Sequence, residues 1–400
     1  MVDRSSRLLL SIIVGISVMR NIGPFEYSHV AFYLMVLSMV QASISISNDG
    51  VLLRENAKSQ IHSIKISKSA MMLRLFSSFA LIIFAFIWIY FSPEYFNDKK
   101  PILWLAILSG ILYCFDPMEQ YAQANFISKE IFYKKQLIFF IFGITKVIAA
   151  FEGHAIHVIY IYTLELIALS FVYCNLAIKS GFIDVKVSFS DVFQLLKHST
   201  PFWLTGLMLV FTSQMDMYFV SLKLDSKDVG NYGATKQIVL TMQILIGVLA
   251  SGVIPIANKI YYHNRVKFKD LTLKIYVIGF FVAFSMYFAS NFFVGNYAEE
   301  ILGYKYSHVK ELFPIISLSF PIALFGTITS LYVTLYELHI VQVLRVTFGF
   351  LVALCLSVIY YNEYTAVMGS YIFIISMTIS DIIFPVVFFS LRQMLSRKPR

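Results

Sequence analysis

Twelve long apolar stretches limit most strongly what this chain can fold into. Each lies between charged residues, prolines or asparagine clusters, and most are near the ~20 residues that a helix needs to cross a bilayer core. They cover residues 5–20, 27–48, 70–92, 101–126, 135–151, 155–178, 198–222, 231–256, 272–295, 310–336, 340–360 and 366–391. The sequence therefore predicts an all-α integral membrane protein with about twelve transmembrane helices.

The composition supports a chain that lies almost wholly in lipid. Of its residues 58% are hydrophobic and only 14% are charged, whereas soluble domains have about 25% charged residues. The mean hydropathy is +0.73. The three cysteines fall inside apolar stretches without CxxC spacing, and no phosphate-binding, HExxH or GxSxG pattern occurs. We therefore expect no soluble enzyme domain, no metal site and no cofactor.

The distribution of basic residues predicts the orientation of the chain. With the N-terminus inside, the cytoplasmic ends and loops hold 23 of the 32 lysines and arginines, and the opposite side holds 7. This asymmetry follows the positive-inside rule and places both termini in the cytoplasm. It also accounts for the net charge of +9 without a nucleic-acid partner.

Two segments at a constant offset of 205 indicate an internal repeat. Residues 27–54 align with residues 232–259, which matches Tyr27 with Tyr232. Each segment follows an outer turn and ends at a basic residue, and six spans separate equivalent points. The pattern predicts a parallel repeat of two six-helix bundles, an N-terminal bundle in residues 1–190 and a C-terminal bundle in residues 191–400.

Several short motifs resemble those of a known family. Residues 18–27 read Val-Met-Arg-Asn-Ile-Gly-Pro-Phe-Glu-Tyr, and a second set comprises residues 198–203, 214–216 and 229–234 followed by Pro255. They resemble the signatures after the first helix and in the seventh and eighth helices of Wzx-type polysaccharide-repeat flippases. These proteins belong to the superfamily of multidrug, oligosaccharidyl-lipid and polysaccharide exporters.

The resemblance implies a function, which we take as an expectation. Such a flippase moves an undecaprenyl-diphosphate-linked oligosaccharide, an O-antigen or related repeat unit, across the bacterial cytoplasmic (inner) membrane by alternating access. The implied partners are this lipid-linked substrate, membrane lipids, H⁺ or Na⁺ as a coupling ion, and a polysaccharide polymerase with its chain-length regulator.

Two other functions fit a chain of this kind. One is a multidrug cation/proton antiporter of the same superfamily. Lysines within the spans, Lys146 and Lys236, favour an anionic cargo instead. The other is an O-antigen polymerase or ligase, enzymes that resemble one another in a long outer loop with catalytic arginines. The outer connections 93–100, 223–230, 296–309 and 361–365 are all short, which argues against this enzyme.

Ionisable residues within the spans are the candidates for a substrate or ion pathway, because they are costly at membrane depth. Asp216 and Lys236 each lie six residues from the same outer turn, about 9 Å below it by helical rise. We expect them to face each other. They form either a pair that lines the pathway and contacts diphosphate or a coupling ion, or a structural ion pair.

Four further charges lie within spans. Glu165 and Asp381 are near the middle of theirs, which suits either ion coupling or a protonated carboxyl held between helices. Lys146 and Arg345 lie nearer to helix ends. Their long side chains either extend to the membrane interface or hold an anionic head group.

Two acids and a proline mark the cytoplasmic end of the fourth span. Asp116 and Glu119 stand on one helical face around Pro117, with Gln123 one turn further. This stripe lines a pathway or is an ordinary helix exit towards nearby lysines. In the seventh span, Thr200 and Pro201 predict the start of a helix, with Thr200 as its cap and Pro201 in its first turn.

Overall fold

The computed structural model describes residues 2–56, 60–91, 99–125, 127–182, 184–263, 265–336 and 338–396. In these ranges all regular secondary structure is helical, as predicted. The helices of the first half are α1 Val2–Ile44, α2 Asp49–Asn56, α3 Gln60–Phe91, α4 Lys100–Ser109, α5 Pro117–Ala124, α6 Ser128–Phe151 and α7 Ala155–Lys179. The helices of the second half are α8 Phe189–Lys223, α9 Ser226–His263, α10 Arg265–Leu302, α11 Val309–Ile316, α12 Ser319–Leu335, α13 His339–Ile359, α14 Ala366–Thr378 and α15 Phe384–Ser396.

These helices account for the twelve predicted spans. Within the described residues, eight stretches are long and apolar enough to cross a membrane. Helices α6, α8 and α9, with 24, 35 and 38 residues, are also longer than a crossing needs. The chain is a multi-pass membrane protein. Three spans are built from two helices joined by a short irregular turn, namely α4 with α5, α11 with α12, and α14 with α15.

The first two predicted spans form one bent helix. The predicted connection between residues 20 and 27 is a kink inside α1, where Gly23 has φ 75° and ψ 169°. A side chain is disfavoured at positive φ, and the following Pro24 has no N–H to continue the helix. The Gly-Pro pair therefore replaces a loop.

The start of α8 differs from the sequence prediction. The helix begins at Phe189 and contains Pro201, and the Thr200 hydroxyl donates to the Leu196 carbonyl at 2.7 Å. The prediction of a cap at Thr200 was wrong. A capping box lies earlier instead: the Asp191 amide donates to the Ser188 hydroxyl, and the Ser188 amide donates to the Asp191 carboxylate.

The chain forms two compact units. The N-terminal unit comprises residues 13–22 and 29–210, and the C-terminal unit comprises residues 1–12, 23–28 and 211–400. The chain passes from one to the other inside α1 and again inside α8. The division after residue 190 and the parallel repeat stay predictions.

Candidate functional site

A buried ion pair joins α8 to α9 in the C-terminal unit. The Lys236 ammonium lies 2.6 and 2.7 Å from the two carboxylate oxygens of Asp216. The Tyr232 hydroxyl donates to the same carboxylate. Asp216 and Lys236 are 1% and 3% exposed, so each charge depends on this pairing. The structure thus brings together the two residues that sequence spacing placed opposite each other.

Close backbone packing holds the start of α9 near this pair. A Cβ added at Gly230 would lie 1.7 Å from the Pro24 carbonyl oxygen. Only glycine fits this contact between the helix and the kink in α1. Tyr232 and Lys236 follow on one face of α9, one turn apart. Two motifs that carried the family resemblance are therefore neighbours in space.

A second buried pair joins α6 to α7 in the N-terminal unit. The Lys146 ammonium contacts the Glu165 carboxylate and lies 3.6 Å from the centre of the Tyr162 ring. The Tyr33 hydroxyl is 2.9 Å from the Thr163 hydroxyl, and the Tyr33 and Tyr162 rings are neighbours. Polar and aromatic side chains thus surround the pair.

A third pair joins α13 to the segment between α14 and α15. The Arg345 guanidinium is 3.5 Å from the Asp381 carboxylate, donates to the Gly326 carbonyl at 3.2 Å, and donates to the Ser330 hydroxyl at 3.1 Å. A π-helical turn, Ile379–Ile383, carries Asp381. Such turns occur often at functional sites.

Lys146 and Arg345 do not extend to the membrane interface. They are 5% and 3% exposed, and both have carboxylate partners inside their units. Extension to the interface was therefore the wrong interpretation of both residues. A buried cation at a helix end remains inside when a neighbouring helix supplies an acid.

A cavity lies beside the third pair. Its volume is about 720 Å³, and it is bounded by α10, α12, the π-helical turn and α15. Tyr276, Phe325, Tyr332 and Tyr336 supply aromatic walls, and Asp381 supplies a carboxylate. The volume lies within the ~300–1,000 Å³ range typical of ligand sites.

The polar stripe of the fourth span lies within a network of the N-terminal unit. Glu119 pairs with Lys135 at 2.7 Å and accepts a hydrogen bond from the Tyr173 hydroxyl at 2.8 Å. Asp116 lies 3.8 Å from the Arg74 guanidinium. The Gln123 amide donates to Glu119 at 3.4 Å. Whether the stripe lines a pathway stays a prediction.

Sequence reasoning missed the role of Arg74. This side chain is 2% exposed and binds the turn after α1, donating to the Ser47 hydroxyl, the Ser47 carbonyl and the Asp49 carboxylate at 2.8–2.9 Å. The distribution of basic residues places it among the 23 cytoplasmic lysines and arginines. Its position inside the predicted span 70–92 was the available signal, because an arginine there must be paired.

The comparisons with known proteins decide the family. Residues 18–311 match the family described as polysaccharide biosynthesis protein. The chain belongs to this family. No curated protein matches the sequence.

This chain has the same fold as several transporters of known structure. An inward-facing multidrug resistance MATE family transporter of the MOP superfamily aligns with a TM-score of 0.70 and 13% identity, over 98% of this chain and 97% of that chain. The lipid II flippase MurJ, in an inward closed conformation, aligns with a TM-score of 0.69 and 18% identity, over 98% and 88%. A MOP superfamily transporter from Pyrococcus furiosus aligns with a TM-score of 0.64 and 13% identity, over 98% and 94%.

Proposed function

We propose that this polysaccharide biosynthesis protein is a flippase that moves an undecaprenyl-diphosphate-linked oligosaccharide, an O-antigen or related repeat unit, across the bacterial cytoplasmic membrane. The observation that carries the proposal is the family match over residues 18–311, on an all-helical membrane fold like that of a lipid II flippase. The alignment with the flippase extends over 98% of this chain.

The mechanism we propose is alternating access without covalent chemistry. The sugar-diphosphate head crosses through a polar interior while the polyprenyl tail stays in lipid. The proposed pathway residues are charged side chains within the predicted spans of both units: Asp116, Glu119, Lys146, Glu165, Asp216, Lys236, Arg345 and Asp381. Glu165 and Asp381 are the proposed groups for coupling to H⁺ or Na⁺.

Charge alone does not separate this flippase from a multidrug cation antiporter. Lys146, Lys236 and Arg345 each contact a carboxylate, so these pairs are close to neutral. Because both lysines are paired, they no longer favour an anionic cargo over a cationic one. The multidrug antiporter remains the second candidate because a multidrug transporter shares the fold. The family match favours the polysaccharide cargo.

The membrane-enzyme alternative finds little support in the outer connections. Between α8 and α9 only residues 224–225 intervene, and between α10 and α11 only residues 303–308. Both connections are too short to contain a long outer loop with catalytic arginines. We therefore propose a transporter that works beside a polysaccharide polymerase and its chain-length regulator.

Deletion of the gene in its own host tests the proposal. We expect loss of surface polysaccharide and accumulation of the lipid-linked repeat unit, because synthesis continues while export stops. Re-expression of the wild-type chain restores both, once its membrane insertion has been confirmed by immunoblot. Unchanged polysaccharide together with new sensitivity to cationic drugs would contradict the flippase and favour the antiporter.

A further inference from the structure

The cavity of the C-terminal unit presents flat aromatic faces. The rings of Tyr332 and Tyr336 are within 6° of parallel, with centres 6.2 Å apart. The Tyr276 and Phe325 rings lie 5.6 Å apart on neighbouring helices. Flat rings offer wide apolar contact, and tyrosine adds a hydroxyl at the edge. The walls suit a ligand with both apolar faces and polar edges.

The charged groups beside the cavity form an incomplete pair. Asp381 lines the cavity, and its closest guanidinium nitrogen, on Arg345, is 3.5 Å away. The Arg345 Nε atom is buried and has no hydrogen-bond partner among the described residues. The Asp381 carboxylate, which lines the cavity, is therefore paired less tightly than Asp216, which Lys236 and Tyr232 contact at three points.

The position of Asp381 is built into the backbone. The π-helical turn carries it, and its carboxylate packs where a Cβ at Gly326 would lie only 2.4 Å from Oδ2. Gly349 leaves similar room for Ser380, whose hydroxyl donates to Asp381 at 3.1 Å. Two glycines and an irregular turn thus hold the carboxylate at the wall.

These features select a class of ligand. Among the described lining residues there is no cation to bind a diphosphate, and the Arg345 guanidinium next to Asp381 offsets the negative charge that would attract an organic cation. A polyprenyl chain gains nothing from either charge. A sugar suits this wall, because its hydroxyls donate to the Asp381 carboxylate while its C–H face packs on an aromatic ring.

We infer that this cavity binds neutral sugar residues of the transported oligosaccharide, with Tyr332 and Tyr336 as the stacking surface and Asp381 as the acceptor for sugar hydroxyls. The inference rests on the proposed function and names where the saccharide part of the cargo is held. The diphosphate and the polyprenyl tail lie outside the cavity.

Binding measurements on the full chain in nanodiscs test the inference. The probes are the radiolabelled lipid-linked repeat unit from the native host and undecaprenyl diphosphate without sugars. Tyr332→Leu is expected to weaken binding of the repeat unit about tenfold, the size of one lost aromatic contact of ~1.4 kcal/mol. Its affinity for undecaprenyl diphosphate is expected to stay unchanged.

Two further variants keep the result interpretable. Ser390→Trp obstructs the cavity from an exposed lining position and is expected to act like Tyr332→Leu even if the latter folds poorly. Tyr371→Leu is the matched control, because this tyrosine lies on α14, is 50% exposed and does not line the cavity. Its binding of both probes should equal that of the wild type.

The outcomes separate this inference from the proposed function. Equal affinity of the wild type, Tyr332→Leu and Ser390→Trp for the repeat unit would overturn the inference, and so would equal weakening for both probes. Wild-type transport of the repeat unit into proteoliposomes is measured in parallel. Failure of that transport would contradict the proposed function, whatever the variants bind.

Discussion

At the residue scale, the buried charges are held as pairs. Asp216 has three short contacts from Lys236 and Tyr232, whereas Arg345 and Asp381 are 3.5 Å apart. A satisfied pair is costly to break from one side, because the remaining charge stays buried. A looser pair retains capacity for a ligand. We therefore expect the first pair to stabilise the fold in addition to its proposed place in the pathway, and we propose that Asp381 of the second pair binds the ligand.

Removing one partner of the tight pair should destabilise the protein strongly. Lys236→Gln leaves the Asp216 carboxylate buried without its cation, which costs about 3–5 kcal/mol. The double variant Asp216→Asn with Lys236→Gln should recover most of this loss, since an amide still accepts from Tyr232. Thermal unfolding in detergent measures both.

The control for this comparison is Lys227→Gln, which changes an exposed lysine in the first turn of the same helix. It should leave the unfolding temperature unchanged. A double variant as unstable as Lys236→Gln alone would show that the charge itself is required, and would contradict a structural ion pair.

Spacing predicted one of these contacts and missed others for a physical reason. Asp216 and Lys236 flank a short turn, so helical rise places them at one depth. Lys146 with Glu165 also flanks a short turn, yet their unequal distances from it hid the pairing. Arg345 contacts Asp381 because the π-helical turn carries that carboxylate, and Arg74 contacts the turn after α1. Such contacts depend on helix rotation and local irregularity, which hydropathy does not encode.

At the element scale, irregular turns position the helices. The Gly23-Pro24 kink bends α1, and the π-helical turn changes the direction in which the side chains between α14 and α15 point. The apolar stretches predicted where the helices lie. They did not predict the kink, because Gly-Pro reads equally well as a loop, nor the early start of α8, because its capping box lies in a polar segment.

The contact between α9 and the kink makes a test at this scale. Gly230→Ala places a methyl group 1.7 Å from the Pro24 carbonyl oxygen, so the backbone must shift and the unfolding temperature should fall. Gly247→Ala on the same helix meets nothing within 4 Å and should stabilise by up to about 1 kcal/mol. Equal effects of the two substitutions would contradict the close packing.

The capping box of α8 gives a pH-dependent prediction. Hydrogen bonds from Ser188 and the ion pair with Lys65 lower the pKa of Asp191 to about 2. Because the folded-state pKa is lowered, the ionised carboxylate stabilises the fold above its ordinary pKa of about 3.9, and this contribution is lost as the pH falls towards 2. Asp191→Asn should therefore cost about 1 kcal/mol near neutral pH.

Unfolding of the wild type and Asp191→Asn at about pH 7 and about pH 2.5 measures the difference. The gap between the two proteins should narrow at the lower pH. A gap of the same size at both pH values would show that the carboxylate charge does not contribute.

At the scale of the whole molecule, the sequence predicted the class of fold well. The length of the apolar stretches indicates which segments cross the membrane. The family motifs predicted the fold of the superfamily, and the aligned transporters confirm that fold. The division into units was harder to place, since the chain changes unit within the helices α1 and α8. Composition is uniform there, so no linker marks the change.

Orientation in the membrane follows from the basic residues and is testable by labelling. In a chain whose three cysteines are replaced, Tyr304→Cys marks a predicted outer connection and Lys186→Cys marks a predicted cytoplasmic one; both positions are exposed. A membrane-impermeant maleimide should label the first in intact cells and the second only after permeabilisation. The reverse pattern would contradict the positive-inside assignment.

The central proposal is that this chain moves a lipid-linked oligosaccharide between leaflets. The most direct measurement uses purified protein in liposomes with the repeat unit on undecaprenyl diphosphate, and follows its exposure on the opposite leaflet with an impermeant glycosidase. We expect exposure well above that of protein-free liposomes, with a rate that saturates as cargo increases. A rate equal to that of protein-free liposomes, with correctly inserted protein and with an H⁺ or Na⁺ gradient imposed, would contradict the account.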